Sequence, residues 1–132
     1  MNRKAFLQLL TLPLTVAACR FDNGDTKQRV PLLEADLSRE LLQVGDYKQN
    51  TTVGLFVRRQ SGGNTAQDFA CFWTICTHAR CPVVYQAAGG QFHCPCHGSL
   101  FDGEGRVLQG PAADRLQQQP VEISGNLLRV YG

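Results

Sequence analysis

Cys76-Thr77-His78-Ala79-Arg80-Cys81 and Cys94-Pro95-Cys96-His97-Gly98-Ser99 are the two segments of this chain whose residue types and spacing could do chemistry. Four of the six cysteines and all three histidines fall within residues 76–97, a clustering that marks a metal site, a disulfide, or both. Each segment offers one thiolate and one imidazole on a short turn, spaced Cys-x-His in the first and Cys-x-x-His in the second. Iron in an iron–sulfur cluster is tetrahedral. With two bridging sulfides each iron takes two protein ligands, so four ligands complete a two-iron cluster. Cys76, His78, Cys94 and His97 are the first choice for those four. Cys81 and Cys96 remain beside them and can close a disulfide in an oxidising compartment. For a loop of about 15 residues such a bridge contributes about 3 kcal/mol in the chain-entropy picture.

Four ligands on two loops need a scaffold that holds the loops face to face. The 12 residues between them, 82–93, read as two strands about a Gly89-Gly90 turn, which folds the second loop back onto the first. The rest of the chain has the same character. Thirteen glycines and six prolines in 132 residues favour a turn-rich β protein. From Val30 onward short apolar runs alternate with Gly-rich separators, which predicts an all-β domain over 30–132. Strands are expected at 30–36, 41–45, 52–59, 69–75, 82–86, 91–94, 106–109, 119–124 and 127–131, with a helical turn at 36–42. Within this pattern Cys71 shares a strand face with Phe69, Trp73 and Ile75 and reads as a buried free thiol. His93 points to the opposite strand face from Cys94 and reads as a surface histidine. Arg58-Arg59 reads as a solvated strand edge.

The paired pattern C-T-H-x-x-C, then C-P-C-H-G-S, resembles the Rieske family of the disulfide-bearing respiratory type, over roughly residues 50–131. The resemblance implies a β-sandwich carrying a small cluster-binding subdomain and a [2Fe–2S] cluster. It assigns Cys76 and Cys94 to one iron, His78 and His97 to the other, and Cys81–Cys96 to a disulfide. Gly110-Pro111-Ala112 resembles the family's proline loop, and Ser99 stands where a hydroxyl reaches a bridging sulfide. At two positions this chain departs from the quinol-oxidising members: Phe101 stands where they have tyrosine, and Ala79-Arg80 where they commonly have Leu-Gly.

The choice of histidine has an electrostatic meaning. Two ferric ions and two sulfides sum to +2, two thiolates cancel this, and neutral imidazoles add nothing. The oxidised site is therefore near neutral and the reduced one near −1, whereas four thiolates would make each two units more negative. An electron is easier to add to the less negative centre, which raises the potential. The outward imidazole nitrogens can also lose protons, which couples electron and proton. A structural zinc site would use the same four residues but gives Cys81, Cys96, Gly98-Ser99 and Gly110-Pro111 no purpose. The ferredoxins of ring-hydroxylating oxygenases share the ligands but lack the disulfide pair.

The N-terminus reads as an address. Asn2-Arg3-Lys4 precedes an apolar run over residues 5–18 interrupted by Gln8, Thr11 and Thr15, the n- and h-regions of a secretory signal. The run is too short for a span of about 20 apolar residues. It ends Val16-Ala17-Ala18-Cys19, which resembles a bacterial lipobox with Cys19 as the acylated residue. Asn2 to Gln8 also resembles a variant twin-arginine signal, the route for folded proteins. The expected organisation is a signal peptide at 1–18, a tether at 19–29 and the domain at 30–132. Removal of Arg3 and Lys4 leaves 11 basic against 11 acidic residues, with no basic patch for nucleic acid. These features predict an exported bacterial one-electron carrier, periplasmic or on the outer face of the cytoplasmic membrane, held there by a lipid anchor and not catalytic alone. The first reading is a relay between a periplasmic enzyme, such as a molybdopterin enzyme, and a cytochrome, similar to the small subunit of arsenite oxidase. The alternative is the mobile head of a quinol–cytochrome c oxidoreductase.

Overall fold

The computed structural model describes residues 28–132; the signal-peptide reading, Cys19 and the tether up to residue 27 lie outside the described residues. Among the described residues the strands are β1 (Leu33–Asp36), β2 (Tyr47–Asn50), β3 (Leu55–Arg59), β4 (Phe69–Trp73), β5 (Val84–Gln86), β6 (Gln91–His93), β7 (Leu100–Phe101), β8 (Val107–Gln109), β9 (Glu122–Ser124) and β10 (Leu127–Val130). They form three antiparallel sheets in the orders β1-β10-β9, β2-β3-β4 and β5-β6-β7-β8. The all-β expectation holds.

The middle sheet explains the layering. Leu55-Phe56-Val57 and Phe69 to Trp73 are apolar without alternation, and strands of that composition need cover on both faces. Leu55, Val57, Phe69 and Cys71 face the first sheet and pack with Leu33, Ala35, Leu128 and Val130. Phe56, Ala70 and Phe72 face the other way and pack with Phe92, Phe101, Cys76 and Cys94 of the cluster-loop layer. Aromatic rings stitch that second interface. Phe56 lies 4.5 Å from Tyr85 and 4.8 Å from Phe92 between centroids, and Phe72 lies 6.2 Å from Phe92, distances at which tilted aromatic pairs attract. Gly105 sits under this layer at φ +78°, where a Cβ would stand 3.1 Å from the Phe72 ring and 3.2 Å from Leu116 Cβ. Both the backbone angle and the space require glycine there.

Two expectations are corrected. Residues 41–45 form a turn, not a strand: Leu41 (φ 54°) and Gly45 (φ 97°) reverse the chain, and the Gln43 N–H donates to the Asp46 carboxylate at 2.8 Å. The strand lies instead at β2, whose Tyr-Lys-Gln-Asn sequence has no apolar pattern to announce it and forms by pairing with β3. Nor is Arg58-Arg59 a solvated edge. Arg59 is 4% exposed, and its guanidinium donates to the carbonyls of Leu41, Ser61 and Gly63 and to Asn64 Oδ1. It also lies 4.6 Å over the Phe69 ring. Arg58 is half-buried, with its guanidinium against Gly103. The helical turn expected near 36–42 is present as one turn, with the Glu40 N–H donating to the Asp36 carbonyl at 2.8 Å.

Candidate metal centre

Two loops of the same internal design meet at one end of the molecule. Loop one, 76–81, hangs from the end of β4 and is necked by the bridge between Ile75 and Pro82. Loop two, 94–99, connects β6 to β7, whose register sets His93 opposite Leu100. In loop one the Cys76 N–H donates to the Cys81 carbonyl at 2.7 Å and the Arg80 N–H to the Cys76 carbonyl at 2.9 Å. In loop two the Cys94 N–H donates to the Ser99 carbonyl at 2.8 Å and the Gly98 N–H to the Cys94 carbonyl at 2.9 Å. The fifth residue of each loop is left-handed, Arg80 at φ 58° and Gly98 at φ 80°.

This design turns the cysteines inward and the histidines outward. Cys76 and Cys94 are both fully buried and belong to one cluster of buried side chains. Burial pushes the Cys76 thiol up, but it is outweighed: the His78 N–H, the Cys94 thiol, the Ala79 N–H and the Ser99 hydroxyl all donate to the sulfur and hold it below the ordinary thiol value. A sulfur so surrounded is prepared to be a thiolate ligand. His78 and His97 are exposed and meet edge to face, with ring centroids 4.9 Å apart and planes at 84°. Cys81 and Cys96 are joined by a disulfide with Cα atoms 6.5 Å apart, which ties loop one to loop two.

A third segment locks the pair. The Ala112 N–H donates to the Ser99 hydroxyl at 2.9 Å, the Gln109 amide to the Gly98 carbonyl at 3.4 Å, and the Thr77 hydroxyl to the Asp114 carbonyl. Ser99 is fully buried and so couples the segment following Gly110-Pro111 to the Cys76 sulfur. Of these contacts the Thr77 bond was not expected. Nothing in the residue type marks it, since a threonine between two potential ligands reads as filler. The kinship of Arg80 and Gly98 was open to view, because setting Cys76 on Cys94 aligns them.

The donors thus stand as two pairs: two cysteines buried in one cluster of side chains, and two exposed imidazoles packed edge to face. A single tetrahedral zinc needs all four donors on one point, whereas here the cysteines lie buried together and the imidazoles pair on the surface. Two thiolates beside two imidazoles suit a two-iron cluster of mixed ligation.

The family model described as Rieske [2Fe-2S] domain matches residues 32–120. The chain belongs to the Rieske family. As a Rieske protein it carries a [2Fe–2S] cluster, and its disulfide places it with the respiratory type. Among curated relatives, the mitochondrial cytochrome b-c1 complex subunit Rieske of Chlorocebus aethiops is 41% identical over 59 residues, 44% of this chain and 22% of that protein. The cytochrome b6-f complex iron-sulfur subunit of Synechococcus sp. (strain RCC307) is 53% identical over 52 residues, 39% of this chain and 29% of that protein. The match thus spans less than a third of the length of either relative. Among solved structures, the plasma membrane Rieske protein of Synechocystis PCC 6803 is 30% identical with a TM-score of 0.53, covering 66% of this chain and 85% of that one. A chain of a hyperthermophilic respiratory Complex III is 30% identical with a TM-score of 0.54, covering 72% and 71%. The quaternary ammonium Rieske monooxygenase CntA shares only the fold, at 18% identity and a TM-score of 0.55.

The remaining predicted residues fall as follows. Cys71 is a buried free thiol pushed up to about 12 by burial, in keeping with the sequence reading. His93 is half-buried on β6, outside the paired donors. Phe101 is fully buried in the same cluster of side chains as Cys76 and Cys94.

Proposed function

We propose that the protein is an exported one-electron carrier whose cluster is held by Cys76 and Cys94 on one iron and by His78 and His97 on the other, and that it serves as the relay subunit of a redox complex. The observation that carries this reading is the division of the donors, sulfurs sealed inside and imidazoles on the surface. When bound, the cluster supplies one reversible electron at a potential raised by its neutral ligands. The chain's own residues do the rest. Donors from His78, Ala79 and Ser99 favour negative charge at the Cys76 sulfur. The disulfide keeps the loops in register, and the buried aromatic layer excludes water from the inner half. The exposed imidazoles are the nearest approach for a partner.

Relay service is favoured over direct quinol oxidation by Phe101 and by Arg80 at the loop tip. The alternative, a head of a quinol–cytochrome c oxidoreductase, draws support from the likeness to a chain of a respiratory Complex III and to b-c1 and b6-f subunits. Among the described residues no helix is long and apolar enough to cross a membrane. Attachment to the outer face of the cytoplasmic membrane is assigned to a signal peptide at residues 1–18 and acylation of Cys19, with 19–29 as tether and 30–132 as the Rieske domain. The partner is a cytochrome, a quinol-oxidising complex or a molybdopterin enzyme.

The ligand assignment is tested by His97→Cys. The variant keeps four donors but adds one negative charge, so a protein that still holds a cluster has a lower midpoint potential in a spectroelectrochemical titration. An unchanged potential in an intact cluster contradicts the assignment of His97. The relay reading is tested by mixing the oxidised holoprotein with a ubiquinol analogue and with the cytochrome b-containing complex of a related bacterium. Cluster reduction by quinol through that complex supports the quinol-oxidising head; no reduction there, with rapid electron exchange with soluble cytochromes, supports the relay.

A further inference from the structure

Arg80 is placed at a cost. An L-residue in the left-handed region pays about 1–2 kcal/mol that glycine does not. Loop two shows that glycine serves this fold, since Gly98 takes the same position with the same hydrogen bonds. The arginine is therefore not there for the loop.

Nor is its side chain used inside the described structure. The other exposed arginines are all engaged. Arg29 pairs with Glu122 at 3.0 Å, Arg39 with Asp36 at 3.8 Å and Arg106 with Asp102 at 2.8 Å, and Arg115 donates to the Glu104 carbonyl at 2.7 Å. Lys48 pairs with Glu40 at 2.8 Å. Among the described residues Arg80 is the one exposed cationic side chain with neither an ion pair nor a hydrogen bond, and it stands two residues from His78. Asp114, the acidic neighbour lining the same cleft beside Cys76, forms no ion pair with it.

We infer that Arg80 selects a redox partner with an acidic docking face, pairing a carboxylate of that partner as His78 and His97 come against it. The inference rests on the reading of the histidine tip as the electron port. A bound cluster would supply one electron to a one-electron acceptor in the partner, such as a ferric haem reduced to ferrous, with no covalent bond formed or broken, and Arg80 itself takes no part in the electron count. Without Arg3 and Lys4 the chain has 11 basic residues, Arg80 among them, against 11 acidic ones, so long-range steering is weak and the unpaired guanidinium acts by contact.

The test uses the holoprotein and two forms of one probe, a basic cytochrome c and the same cytochrome with its lysines succinylated. Dissociation constants are measured by calorimetry at an ionic strength of about 0.1 M, where charges interact over about 10 Å and a charge away from the tip is screened. Arg80→Gly, which suits the backbone, is expected to weaken binding of the succinylated form about fivefold, the weight of one contact charge pair in water. Binding of the basic form does not weaken. Arg80→Lys keeps most of the affinity for the succinylated form, and the difference between Arg80→Gly and the parent vanishes near 1 M salt. Arg39→Gln, which removes an equal charge far from the tip, leaves the ratio of the two constants unchanged. The inference is overturned if Arg80→Gly shifts both constants equally or neither, or if Arg39→Gln matches it. Failure of the electron-port reading looks different: binding follows Arg80 as stated, while stopped-flow electron exchange with the succinylated cytochrome does not slow in Arg80→Gly.

Discussion

Arg80 and Gly98 hold the same position in two loops closed by the same two backbone hydrogen bonds, and both are left-handed, at φ 58° and 80°. The pair is an internal control for backbone strain. Gly98→Ala places a Cβ in the left-handed region and is expected to destabilise the holoprotein by about 1–2 kcal/mol. Arg80→Gly relieves strain but adds unfolded-state entropy, for a net gain of about 0.5–1 kcal/mol. Guanidinium unfolding followed by the visible absorbance of the cluster checks both. Equal and same-signed changes at the two positions would contradict the equivalence.

The disulfide lies between the loops, whereas Cys71 lies in the β3–β4 sheet facing the first sheet. Non-reducing digestion and mass spectrometry should recover Cys81 linked to Cys96. Cys71, buried and pushed up to about 12, should resist alkylation at pH 8 until the protein unfolds, because the thiolate is the reactive form. The double variant Cys81→Ala/Cys96→Ala is expected to lose about 3 kcal/mol and to bleach faster than the parent. A bleaching rate equal to the parent's would show that the bridge does not clamp the site.

Phe101 is buried with Cys76 and Cys94 and can donate no hydrogen bond. Phe101→Tyr adds a hydroxyl at that layer. Donation to a ligand sulfur favours the reduced state, because the extra negative charge strengthens the bond in a low-dielectric pocket. For a one-electron couple 59 mV is a factor of ten, and only the difference between oxidation states counts, so the midpoint should rise on the order of tens of millivolts. Ser99→Ala removes a donor that Cys76 has and should lower it. Protein-film voltammetry checks both signs; a rise in Ser99→Ala would contradict the electrostatic account.

Arg59 is the buried cation that closes the turn after β3. Arg59→Met fills similar space but leaves the carbonyls of Leu41, Ser61 and Gly63 without their charged donor, and the expected loss is about 3 kcal/mol or more. Arg59→Lys should recover little of it, because a single ammonium cannot span the fork of acceptors. Thermal unfolding of the holoprotein reads the difference, and a lysine variant as stable as the parent would contradict the fork argument.

Arg59 also marks the limit of what the residues alone disclose. The meeting of the two loops was legible, because ligand chemistry restricts residue type and spacing together: Cys76, Cys94 and Ser99 are buried together, His78 meets His97, and Cys81 meets Cys96. Strands with apolar content, such as β3, β4 and β10, were legible for the same reason. β2 was not, because Tyr47 to Asn50 gains its conformation from β3 and carries no pattern of its own. Leu41 to Val44 misled in the opposite way: the run is apolar, yet Leu42 and Val44 are 60% and 63% exposed, and the turn is set by Asp46. Arg59 looked like a solvated charge since three of its four acceptors are backbone carbonyls, of Leu41 in a distant turn and of Ser61 and Gly63 in the adjacent one, which no side-chain type reveals. β7, two residues long, is held by neighbours on both sides and offered too little length to notice.

The central claim is that two cysteines and two histidines of one end of this fold carry a two-iron cluster. The most direct test is iron and acid-labile sulfide analysis of the anaerobically purified protein, with pulsed EPR of its reduced form. The account predicts two irons and two labile sulfides per chain, an EPR signal only after reduction, and two coupled imidazole nitrogens, falling to one in His97→Cys. One zinc per chain without labile sulfide, or a reduced cluster with no nitrogen coupling, would contradict it.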